Sequence, residues 1–166
     1  MLKSDIFKAN DIRGIVVGPD LQWDLAGAWD LGNAYVRLLE LAGKEFVLGR
    51  DMRQLGVELA KAFIDGARAA GASVVDIGLA STDQLWFASG KLAMPGVQFT
   101  ASHNPAEYNG IKFCLPNAGP VPAEFTTELA KLANQTKPVQ SSSVGNYRSI
   151  DLLADYVSYL NSLVQV

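Results

Sequence analysis

Short apolar runs alternate along the chain with segments whose apolar residues recur at helical spacing, and the two periods divide it into strands and helices. Asp24 is placed to cap a helix in which Leu25, Ala28, Gly32, Tyr35 and Leu39 share one face. Asp30, Asn33, Arg37 and Glu40 lie opposite, and Gly43 is a natural stop. The run Phe46-Val47-Leu48 is too apolar for a strand with one wet face, so it is predicted to be central in a sheet. A second helix turns Leu59, Phe63, Ala67 and Ala70 inward and Glu58, Lys61, Asp65 and Arg68 outward, stopping at Gly71. A strand over 74–77, a shorter helix over 84–91 and a strand over 97–100 follow. This β-α-β-α-β order predicts an α/β domain with a largely parallel sheet covered by helices on both faces.

Residues 110–115 read as a further strand, entered from a tight Asn109-Gly110 corner. Past Pro120 and Pro122 a helix is predicted as far as Asn134, with Phe125, Leu129 and Leu132 on its apolar side. Residues 135–149, with Pro138 and Ser141-Ser142-Ser143, read as a loop or linker. A last helix from Asp151 puts Leu153, Tyr156, Val157, Leu160 and Val164 on one side and runs to Val166 with no stop signal. The expectation is one α/β domain over 1–135, with 136–166 a linker and the start of a connection toward a missing second domain. A terminal helix docked on its own domain is the alternative.

Composition narrows the partners. A chain of 166 residues suits one domain with a substantial core, and 49% hydrophobic with 19% charged residues is ordinary for a folded globular protein. A net charge of −3 gives no sign of the basic surface that nucleic acid or an anionic membrane calls for, which points to a small molecule or a protein instead. One cysteine and one histidine exclude an internal disulfide and the usual Cys/His zinc sites. Cys114 lies in an apolar run and reads as a buried small hydrophobe. Residues 1–8 reach charged groups before a signal-peptide core could form, and no stretch is apolar enough to span a bilayer, so a cytoplasmic location is expected.

The informative residues cluster at strand ends, where open α/β sheets bind ligands. The strand over 97–100 runs into Ala101-Ser102-His103-Asn104-Pro105, which presents a hydroxyl, an imidazole and an amide on an exposed turn. A serine hydrolase with Ser102 as nucleophile and His103 as base is disfavoured. Neighbouring side chains in an extended segment point apart, there is no second histidine, and no Gly-x-Ser-x-Gly elbow occurs. A phosphorylated Ser102 would instead need cations, and Arg13, Arg50, Lys112 and His103 all lie near strand ends. No nucleotide-binding glycine motif competes.

Four stretches, in order, settle the choice: Asn10-Asp11-Ile12-Arg13-Gly14, Gly49-Arg50-Asp51-Met52-Arg53, Thr100-Ala101-Ser102-His103-Asn104-Pro105 and Asn109-Gly110-Ile111-Lys112-Phe113. Together they resemble the first domain of the α-D-phosphohexomutases of the phosphomannomutase/phosphoglucomutase type, the third being that family's phosphoserine signature. The resemblance runs from about Ile6 to the end of the chain. It implies a single-domain three-layer α/β/α sandwich with a mostly parallel mixed sheet. It also implies interconversion of hexose 6-phosphate and hexose 1-phosphate through a phosphoserine and a hexose 1,6-bisphosphate.

In that family the site residues would be Ser102 as phosphoryl carrier, His103 beside it, Lys112 as general acid/base and Arg13 as a second cation. Asn10 and Asn104 would join Arg13, His103 and Lys112 in binding substrate, with Arg50, Asp51 and Arg53 in support. Mg²⁺ would be held by the phosphate on Ser102 and by carboxylates in a missing domain, since the family's Asp-Gly-Asp-x-Asp loop does not occur here. The chain departs from the family at Asn10, where Tyr-Asp-Ile-Arg-Gly is common, because an amide offers no aromatic face to a sugar. The expected partners are hexose phosphates and the remaining domains of a longer enzyme, with weak self-association through the apolar surface left uncovered. The chain alone is expected to lack mutase activity. A naturally short sugar-phosphate-binding or regulatory protein is the alternative from another class.

Overall fold

Alternation of period and turn chemistry gives six strands and five α-helices in the computed structural model, which describes residues 2–135 and 137–164. Strand β1 (Asp11–Ile15) precedes α1 (Leu25–Leu38), then β2 (Glu45–Arg50), α2 (Gly56–Ala69), β3 (Ser73–Leu79) and α3 (Thr82–Leu92). After β4 (Gly96–Phe99) and β5 (Tyr108–Cys114) come α4 (Phe125–Gln135), β6 (Tyr147–Ser149) and α5 (Leu153–Leu163). Three helix starts and stops follow the local chemistry. Asp24 accepts the Gly27 N–H at 2.9 Å, Ser81 and Gln84 close a capping box on α3, and Gly71 turns the chain after α2 at φ +98°.

The strands form one sheet in the order β1-β5-β4-β2-β3-β6. Pairings β4–β2, β2–β3 and β3–β6 are parallel, while β5 runs antiparallel to both its neighbours, so the sheet is mixed but mostly parallel. Alternate residues of the strands face opposite layers. Ile12, Phe46, Leu48, Val97, Phe99 and Ile111 join the core that α1, α2 and α4 complete. Val47, Leu85 and Ala88 form a smaller cluster beneath α3 on the other face. The main core is centred on Tyr35, whose ring lies 5.3 to 5.7 Å from those of Phe46, Phe63 and Phe113. Each such fully buried side chain stabilises the fold by about 1.5–3 kcal/mol. Burial pushes the Tyr35 hydroxyl and the Cys114 thiol up from their ordinary pKa values, so Cys114 is the buried small hydrophobe expected of it.

Four local readings are corrected. On α1, Leu25 is 45% exposed, whereas Asn33 on the nominal polar face is buried. The Asn33 amide donates to the Val139 carbonyl at 2.8 Å and accepts the Val139 N–H at 3.0 Å, because the chain after α4 crosses that face. Asn109-Gly110 lies inside β5 and is no corner. The segment read as a loop over 135–149 carries β6, which pairs Val74 with Tyr147 and Asp76 with Ser149. The first motif forms β1, a strand whose bounds the sequence reading does not give, although it sets Arg13 near a strand end. Residues 165–166, the end of the expected last helix, lie outside the described residues.

Candidate active site

Strand β4 leaves the sheet at Phe99, with Thr100 and Ala101 still buried and Ser102 and His103 exposed. Ser102 has φ +55°, a left-handed conformation that a side chain adopts only when its surroundings impose it. Two groups do so here. The Ser102 N–H donates to Thr100 Oγ1 at 2.9 Å, and the Arg53 guanidinium reaches over from the loop after β2. Nη2 of Arg53 donates to the carbonyls of Ser102 (2.6 Å) and Asn104 (2.8 Å), and Nη1 to those of Pro105 (2.9 Å) and Tyr108 (3.0 Å). Asp51 in turn accepts the Arg53 N–H at 3.0 Å and pairs with Arg53 Nε at 3.4 Å. A planar fork with two donor edges suits this task, since it satisfies several carbonyls at fixed spacing.

The turn is therefore not extended, which corrects one ground on which the hydrolase reading was set aside. Ser102 Oγ and His103 Nδ1 lie 3.4 Å apart, on the same side. What still separates the site from a hydrolase is that His103 has no carboxylate hydrogen-bonded to it among the described residues, and no nucleophile elbow is present.

The cations come from the neighbouring edge of the sheet. Antiparallel pairing sets Asp11 opposite Lys112 and Arg13 opposite Gly110, so the period of two turns Asp11, Arg13 and Lys112 to one face. Asp11 Oδ2 takes Arg13 Nη2 at 2.5 Å and Lys112 Nζ at 3.1 Å, fixing both cations through one nearly buried carboxylate. Arg13 Nε is buried without a partner among the described residues. Gly110 brings this edge against the serine turn. Its carbonyl accepts the Thr100 N–H at 2.9 Å, and a Cβ there would stand 2.2 Å from the Ile12 oxygen and 2.9 Å from that of Thr100. Only glycine lets the three backbones approach so closely.

Asn10 is exposed at the mouth of a 360 Å³ cavity that Lys112 also lines, and Asn104 is half-buried within the turn. Arg50 is placed elsewhere. It lines a 450 Å³ cavity with Arg68, Asp76 and Tyr147, so Arg53 alone of the two arginines hydrogen-bonds the serine turn among the described residues. Asp11 is the residue that sequence reasoning quoted but gave no role. Its signal was cross-strand register with Lys112, which needed β1 to be recognised first.

The residues present do not form a complete Mg²⁺ site. Among the described residues no group of three or more His, Cys, Asp or Glu is close enough to hold a metal ion, and Asp11 is already engaged by two cations.

Fold and turn define an α/β/α sandwich that presents a serine at the carboxyl end of a central strand, with Lys112 on the adjoining strand β5 and Arg13 on the edge strand β1 beyond it. The family model described as phosphoglucomutase/phosphomannomutase, alpha/beta/alpha domain I, matches residues 4–140, and the chain belongs to that family. It is 37% identical over 170 residues to a phosphomannomutase of Escherichia coli K12, covering 100% of this chain and 36% of the relative. A Klebsiella pneumoniae phosphomannomutase is 38% identical over 161 residues, with 95% of this chain and 99% of that one covered. A solved phosphoglucomutase/phosphomannomutase family protein of Burkholderia thailandensis superposes with a TM-score of 0.86 at 31% identity, covering 100% of this chain and 37% of that one. The chain thus spans about a third of the length of the Escherichia coli relative.

Proposed function

We propose that this chain is the phosphoryl-carrying part of a phosphohexomutase, a cytoplasmic enzyme that interconverts hexose 6-phosphate and hexose 1-phosphate through a hexose 1,6-bisphosphate. The observation that carries the reading is the left-handed, four-carbonyl-clamped turn that exposes Ser102 past the end of β4, with Lys112 on the adjoining strand β5 and Arg13 on β1 beyond it. Phosphoryl transfer depends mainly on positioning and on cations that stabilise spreading negative charge. In this reading the phosphate rides on Ser102 Oγ, and the Ser102 O–P bond breaks as a sugar hydroxyl oxygen bonds to phosphorus. Lys112 gives a proton to the leaving Ser102 Oγ and takes up the one lost by the attacking hydroxyl, ending as it began, and Arg13 and His103 face the charge on the phosphoryl oxygens. Asp11 keeps Arg13 and Lys112 at fixed separation. The carboxylates of a Mg²⁺ site, and the groups that choose between mannose and glucose, are assigned to parts of a longer protein outside these 166 residues.

The test joins this chain, in place of the matching segment, to the remainder of the Escherichia coli phosphomannomutase. The chimera is expected to interconvert mannose 1- and 6-phosphate, and Ser102→Ala to lower turnover on the order of a thousandfold or more. The 166-residue protein by itself is expected to show negligible turnover. A folded but inactive chimera, or one indifferent to Ser102→Ala, would overturn the reading.

A further inference from the structure

The cavity at Lys112 has a wall that the phosphoryl-transfer reading leaves unused. It measures 360 Å³ and lies between α3 and the β5 edge, lined by Asn10, Trp86, Lys112, Gly119, Pro120 and Val121 among others. That volume is within the range of small-molecule sites, roughly 300–1,000 Å³. Its polar side chains include the Lys112 ammonium and the Asn10 amide, and two aromatic residues, Trp86 and Phe113, line it. The Phe113 ring is buried against Tyr35 and Phe125 in the main core, which leaves the half-buried indole of Trp86 as the aromatic surface open to a ligand.

Trp86 is built to be rigid there. The capping box of Ser81 and Gln84 fixes the first turn of α3, and Leu85 and Ala88 on either side of Trp86 are fully buried. The indole is half-buried and packs against the cluster of Val47, Leu85 and Ala88. Its N–H has no hydrogen-bond partner among the described residues, whereas the buried Trp23 N–H donates to the Gly14 carbonyl at 3.2 Å. A rigid aromatic body with a spare donor, sharing a cavity of this size with a cation and an amide, matches a pyranose, which has an apolar C–H face and a polar rim.

We infer that Trp86 is the aromatic wall against which the sugar ring of a hexose phosphate packs, in the cavity it shares with Lys112 and Asn10. The inference rests on the phosphohexomutase reading of the same site and deepens it. It also answers the departure at residue 10, since the aromatic face that Asn10 cannot offer comes from α3 in the same cavity. Trp86 is on this account a substrate-positioning residue, with phosphate held by the cations and the ring by the indole.

The experiment uses the 166-residue protein and two probes, mannose 6-phosphate and inorganic phosphate, with binding followed by NMR titration of the tryptophan indole N–H signals. Trp86→Phe assigns the Trp86 signal. Mannose 6-phosphate is expected to shift that signal, and Trp86→Ala to weaken its binding about fivefold to tenfold while phosphate affinity stays within about twofold. Trp86→Phe, which keeps an aromatic face, is expected to retain most of the affinity, and Lys112→Ala to weaken both ligands. Equal weakening of both ligands by Trp86→Ala, or no weakening of either, overturns the inference and leaves the phosphohexomutase reading standing. So does a wild-type protein that holds mannose 6-phosphate no better than phosphate. Failure of the wild type to bind either probe overturns the inference, while the phosphohexomutase reading stands or falls with the chimera.

Discussion

Arg53 shows how one residue converts a strained turn into a fixed one. Its side chain is only 12% exposed, and its four carbonyl acceptors span Ser102 to Tyr108. A lysine carries the same charge but lacks the planar fork, so it cannot serve four carbonyls at once. Arg53→Lys is therefore expected to cost about 2 kcal/mol, and Arg53→Ala somewhat more, in urea unfolding. Amide exchange over 102–108 should accelerate in both variants more than in the sheet, and unchanged exchange there would refute the bracing role. The motif Gly49-Arg50-Asp51-Met52-Arg53 marked both arginines, but spacing could not say which reached the turn. That depends on where the strand stops. Arg50 is the last residue of β2 and is committed to a sheet face, while Arg53 lies past it and is free to reach across. Asp11 stayed invisible for a similar reason, because its partner is 101 residues away and comes into register only through antiparallel pairing.

At the scale of elements, the helix–helix contact of α1 with α2 depends on a reciprocal pair of glycines. A Cβ on Gly32 would stand 2.0 Å from the Phe63 carbonyl oxygen, and one on Gly66 would stand 2.0 Å from that of Trp29. Backbone cannot yield as a side-chain tip can, so the helices would have to separate. Gly66→Ala is expected to destabilise by about 2–3 kcal/mol, because overpacking outweighs the roughly 1 kcal/mol of helix propensity gained. Gly90 in α3 is the control, since a Cβ there meets nothing within 4 Å. Gly90→Ala should stabilise by up to about 1 kcal/mol. Urea midpoints moving in opposite directions check both, and equal shifts would sink the packing argument. The helices were legible because their apolar faces repeat over three or four turns. The edge strands were not: β6 is three exposed residues, and β1 alternates core residues with the charges of the site, so its polarity masks its period. The Asn109-Gly110 pair carries a turn signature that the close approach of Ile12 and Thr100 overrides.

For the molecule as a whole, stability is distributed unevenly, and α5 is where it is thinnest. The helix touches the rest of the domain through the rings of Tyr156 and Tyr159, 5.5 and 5.2 Å from Phe87, and through a half-exposed pair of Lys91 with Asp155 at 3.4 Å. Exposed ion pairs add little, about 0–1 kcal/mol. Val157, Leu160 and Leu163 are exposed, unlike the buried faces of α1 and α2. Few buried apolar contacts mean a low free energy of local opening. Helical amides over 157–163 are therefore expected to exchange at least about a hundredfold faster than those of Val47, Phe99 and Ile111, which open only with the sheet. An exposed apolar face also favours association, and association stabilises whatever it covers by mass action. Exchange in α5 should then slow as protein concentration rises, while exchange in the sheet stays constant. Protection in α5 equal to that of the sheet would refute the uneven distribution. Rates in α5 that are fast at every concentration would keep that distribution and remove self-association through this face.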